Sequence, residues 1–95
     1  MDLKDRLGIE NVNEEAFRLA IESMCESFEI LPSVRKELQN YLDTGKEEFS
    51  TITIDFLGKA TNWLKRLYVA KCIKLGIEIP DFENKKVNKL FNLGD

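Results

Sequence analysis

Between positions 17 and 31 the apolar residues Phe17, Ala20, Ile21, Met24, Cys25, Phe28 and Leu31 recur at steps of three and four. On a helix of 3.6 residues per turn this spacing gathers them on one face, so the stretch must find another element to cover it. The chain has 95 residues, 43% of them hydrophobic, which suffices for one core and not for two. One helical domain spanning residues 1–95 is therefore expected.

Local signals divide the rest. Asp2 to Leu7, with leucines at 3 and 7 and Gly8 behind them, reads as a short helical turn docked by two side chains. Asn11, with Glu14 three residues on, or Asn13 supplies the oxygen that the first amides of the next helix need. Pro32 cannot continue that helix but suits the first turn of another, which places the break at residues 30–32. Val34, Leu38, Tyr41 and Leu42 then form a narrow stripe closed by Gly45. With so short a connection, the two helices should be neighbours.

Phe49 to Phe56 alternates and is β-branched, so it reads locally as a strand. A lone strand has nothing to pair with here, and a helix starting at Ser50 or Thr51 is preferred. From Phe56 to Leu75 a single helix is expected, closed by Gly76, with Gly58 marking a close approach or the true start. Its apolar side changes along its length: Phe56, Ala60, Trp63, Leu64 and Leu67 first, then Tyr68, Val69, Cys72 and Ile73. Such a helix either sits between different neighbours or offers its second patch, residues 68–73, to another molecule. IEIP is extended, and Asp81 caps a last helix with Phe82, Val87, Leu90 and Phe91 facing in and Gly94 closing it. The expected fold is all-α, a compact bundle of four principal helices plus a short N-terminal helix.

The chain contains no histidine. Ser-His and Cys-His nucleophile pairs, imidazole acid/base chemistry and His-containing metal sites are thereby excluded. Ser23, Ser27, Ser33 and Ser50 lack an activating base and a Gly-x-Ser-x-Gly turn, and no glycine-rich phosphate loop is present. Cys25 and Cys72 stand 47 positions apart with no CxxC, which suits two buried thiols in a reducing compartment, a bridge between two helices being the alternative. These features predict a protein that is not an enzyme and has no cofactor. The N-terminus MDLKDRLGIENVNEE carries no basic segment followed by an apolar stretch, so a cytoplasmic protein with no membrane partner is expected.

The net charge of −3 is a cancellation: residues 1–50 hold 12 acids and 6 bases, net −6, and residues 51–95 hold 5 acids and 8 bases, net +3. Two rims that pack together, or two surfaces for two partners, would produce it. Glu15, Glu22, Glu26 and Glu29 line up on the polar side of the first long helix as a solvated face or a docking face for a basic partner. Without histidine or an acid-rich glycine turn they do not form a metal site. Lys59, Lys65, Arg66, Lys71 and Lys74, with Trp63 and Tyr68 between them, could track a polyanion, but no recognised nucleic-acid motif accompanies them. Lys85, Lys86 and Lys89 extend the basic half.

LGIEIPDF at residues 75–82, with Leu57 and Gly58 at a gapless spacing upstream, resembles acyl carrier proteins over about 27 residues. Most identities lie in GIEIPD. Where that family carries the serine that receives phosphopantetheine this chain has Thr61, flanked by Ala60 and Asn62, and the following helix is basic where carriers are acidic. The resemblance implies a degenerate acyl-carrier-like domain as an alternative. The leading expectation is a small adaptor, regulator or assembly subunit that works by protein contact, self-association included, through Tyr68, Val69, Cys72 and Ile73; nucleic-acid binding by the basic half is the other alternative.

Overall fold

The computed structural model describes residues 3–9 and 11–80. A 3-10 helix, Leu3–Leu7, leads into four α-helices: α1 Glu14–Cys25, α2 Pro32–Thr44, α3 Thr51–Lys59 and α4 Thr61–Leu75. The fold is all-α, with no strand among the described residues. The last helix expected from Asp81 to Gly94 lies outside them.

Each start has a local cause. Asn13 Oδ1 accepts the Ala16 amide at 3.0 Å and opens α1. Pro32 occupies the first turn of α2, where its missing N–H costs nothing. Ser50 opens α3, its hydroxyl turned toward the Thr53 amide, while its own amide donates to Glu37 Oε1 at 2.6 Å. The helix from Ser50 is thus the one the β-branched stretch forms. At the other ends, Gly45 and Gly76 take φ of +77° and +72°, a left-handed conformation that strains any residue with a Cβ. The Gly76 and Ile77 amides turn back onto the carbonyls of Ile73 and Cys72 and close α4.

α1 and α4 form the most extensive interface. Phe17, Ala20, Ile21 and Met24 from α1 meet Leu64, Tyr68 and Cys72 from α4 in one core, completed by Val34 and Leu38 of α2 and the leucines of the 3-10 helix. Burying each large side chain stabilises the fold by about 1.5–3 kcal/mol. Tyr41 links the layers, edge-on to Phe17 at 6.3 Å and tilted against Phe49 at 6.0 Å. Lys4 pairs with Glu14, and the Leu3 amide donates to Glu47, so the N-terminal turn is tied to both α1 and the α2–α3 loop.

Two sequence expectations fail. α1 stops at Cys25, and Phe28 and Leu31 are exposed, not part of its buried face. Arg35 explains the stop: its Nε donates to the Cys25 carbonyl at 2.7 Å and its Nη2 to the Ser27 carbonyl at 2.8 Å, occupying acceptors the helix would otherwise use. The single helix from Phe56 to Leu75 is also broken, at Ala60, where φ −98° and ψ 14° end α3 and begin α4. The Thr61 hydroxyl donates back to Leu57 and Gly58 carbonyls at 3.0 and 3.2 Å and holds this elbow. Both cysteines are free and buried.

Candidate functional site

The elbow resolves the face change in the basic segment. Within α4 the buried residues are Leu64, Tyr68 and Cys72, spaced four apart, so one stripe faces α1 throughout. Trp63 and Leu67 flank it on the side of α3, half-buried. Val69, half-buried, and Ile73, exposed, flank it on the other side. The proposed patch of Tyr68, Val69, Cys72 and Ile73 is therefore divided: Tyr68 and Cys72 are core, and only Val69 and Ile73 reach the surface.

The acidic line is also shortened. Glu15 and Glu22 lie exposed on α1, Glu26 caps its end, and Glu29 stands in the turn beyond. Among the described residues no cluster of acids and cysteines is placed to hold a metal ion. The bases scatter around α4. Arg66 and Lys74 are exposed, Lys65 and Lys71 are half-buried on opposite flanks of the core stripe, and Lys59 sits on α3 paired with Asp55 at 3.2 Å. At 100° per residue the four on α4 make no single track. Thr61, the position of the carrier serine, has its hydroxyl engaged in the elbow.

What the fold does bring together is a groove between the α1–α2 turn and the α3–α4 elbow. It has a volume of about 410 Å³ and is lined by Glu29, Phe56, Lys59, Ala60, Trp63 and Arg66. Phe56 and Trp63 pack edge to face, with ring centroids 6.3 Å apart and planes at 85°, a geometry favoured by their quadrupoles. Both rings remain half-buried. Phe28, the residue before Glu29, is fully exposed. The turn holding it is fixed by Arg35 on one side and by the Ser27 hydroxyl, which accepts the Glu29 amide at 3.1 Å.

The apolar sequence pattern puts Phe28 on the buried face of α1 and gives no sign of this groove. One signal was present: a Ser hydroxyl that bonds an amide two residues on competes with helix continuation, and Ser27 directly precedes Phe28.

Burial sets the chemistry of the titratable groups near the core. It raises the Cys25 thiol, against which the Arg35 charge works in the opposite direction, and it raises the Cys72 thiol. The Tyr68 phenol is likewise raised by burial, more than the Asn13 amide lowers it. Neither thiol is an activated nucleophile. No helix of the described residues is long and apolar enough to cross a membrane. Compared with known proteins, the chain matches no family model, no curated protein and no solved structure.

Proposed function

We propose that this protein is a non-enzymatic, cytoplasmic helical module that acts by holding another protein at the face formed by the α1–α2 turn and the α3–α4 elbow. One observation carries the reading: Phe28 is fully exposed on a turn held rigid by Arg35, beside a groove floored by Phe56 and Trp63. A large aromatic ring left in water forfeits about 1.5–3 kcal/mol that a partner would recover. Aromatic residues held on a firm backbone are the usual anchors of protein interfaces. Val69 and Ile73 on α4 are a smaller, secondary surface, and Glu15, Glu22 and Glu26 form an exposed acidic line along α1 that suits a basic partner. The scattered bases argue against a nucleic-acid track, and the engaged Thr61 hydroxyl against phosphopantetheine attachment. A photo-reactive residue at position 28, introduced in the native host, should link one defined protein, and that protein should fail to co-purify with a Phe28→Glu variant. Cross-links no different from those formed at exposed Lys36 would refute the reading.

A further inference from the structure

We infer that the partner at this face is a second copy of the same chain, each copy placing its Phe28 in the other's Phe56–Trp63 groove. This rests on the protein-docking reading above and names its occupant. Knob and groove lie on one face, because Glu29 follows Phe28 directly and itself lines the groove. A two-fold rotation about an axis between them brings the knob of each copy to the groove of the other, the self-complementary arrangement that closed dimers require. Charge matches in the same sense. Glu26 and Glu29 stand exposed on either side of the knob, with Arg35 turned onto the Cys25 and Ser27 carbonyls behind it. The groove carries exposed Arg66 and Lys59, the latter paired with Asp55, beside its own Glu29. Each copy thus offers carboxylates beside its knob and the Arg66 guanidinium at its groove, and the two-fold pairs both at once.

Leu31, also exposed, lies three residues beyond Phe28 and would be covered in the same contact. The apolar surface engaged is small for an interface, so a weak, concentration-dependent dimer is expected. Self-association through paired knobs would double the valency of any further surface, such as Val69 and Ile73.

The test uses the full chain and light scattering over about 1–300 µM, spanning the weak end of interface affinities. The mass should rise from the 11.0 kDa of one chain towards twice that value. Phe28→Glu should hold it at one chain with helical circular dichroism unchanged. Glu26→Arg and Arg66→Glu should each weaken the dimer at least about tenfold, since each sets like charges together at both contacts. Mixed in equal amounts they should associate again, because every knob then meets a groove of opposite sign. A photo-reactive residue at position 28, in a mixture of isotopically light and heavy chains, should yield light–heavy links to the groove. A single-chain mass at the highest concentration, a Phe28→Glu protein that dimerises as before, or links only within one chain to residues 81–95 would each overturn the dimer. A single-chain protein that still captures a foreign protein through position 28 overturns the dimer and leaves the docking reading standing; if neither occurs, both fail.

Discussion

The backbone amide of Asn13 donates to the Tyr68 hydroxyl at 2.8 Å, joining residues 55 positions apart. Asn13 caps α1 with its side chain, and Tyr68 lies at the centre of the α4 core stripe. The start of the first long helix is thereby bonded to the middle of the last described one.

Tyr68→Phe keeps the ring and removes the acceptor, leaving the Asn13 amide without that bond. A loss of about 1–2 kcal/mol is expected, which lowers the thermal midpoint by about 4–8 °C per kcal/mol in a domain of this size. Calorimetry checks it; an unchanged midpoint would mean that water replaces the phenol at no cost.

Alkaline pH should destabilise the protein. Cys25, Cys72 and Tyr68 all have raised pKa values in the fold, above ordinary values of 9.0, 9.0 and 10.0. A raised acid binds its proton more tightly folded than unfolded. The contribution is therefore complete below the ordinary value and is lost as pH climbs through the folded one. Urea midpoints should hold steady to about pH 8 and decline beyond pH 9. For the same reason a thiol reagent at neutral pH should modify neither cysteine in the native protein and both after denaturation.

Acid acts through Glu37. The Ser50 amide donates to its carboxylate and lowers its pKa from 4.5. Stabilisation of this kind is present above the unfolded value and disappears as pH falls through the lower folded one. Glu37→Gln should flatten the dependence of the urea midpoint on pH below about 4.5, the ordinary carboxylate value. An acid limb of unchanged slope in the variant would remove Glu37 from the account.

Arg35→Lys tests the turn. A single ammonium cannot match the guanidinium, whose two nitrogens reach the Cys25 and Ser27 carbonyls together. A cost of about 1–2 kcal/mol is expected. Hydrogen exchange at the Ser27 and Glu29 amides should quicken while the amides of α4 stay protected. Uniform quickening would instead assign Arg35 to global stability.

The all-α class, the starts of α1, α2 and α3 and two glycine stops were legible because local chemistry sets them: Asn13, Pro32, Ser50, Gly45 and Gly76 act within a turn of themselves. The end of α1 was not. Its apolar rhythm runs on to Leu31, and the group that stops it, Arg35, lies ten residues ahead. The elbow at Ala60 escaped for a related reason, since no proline or glycine stands at the break and Gly58 sits inside α3. Treating α3 and α4 as one cylinder then produced an apolar face that seemed to turn. Phe28 looked like core because hydrophobicity reports what a residue prefers, not which side chains the backbone has room to cover.

The pairing of α1 with α4 also orders events during synthesis. The ribosome completes α1 at residue 25, yet its main cover ends at residue 75. At about 5–20 residues per second, Phe17, Ile21 and Met24 wait roughly 3–10 s for their principal partner. Throughout that interval the nascent chain carries the apolar face of α1 only partly covered, so chaperone demand should persist until α4 has emerged and docked.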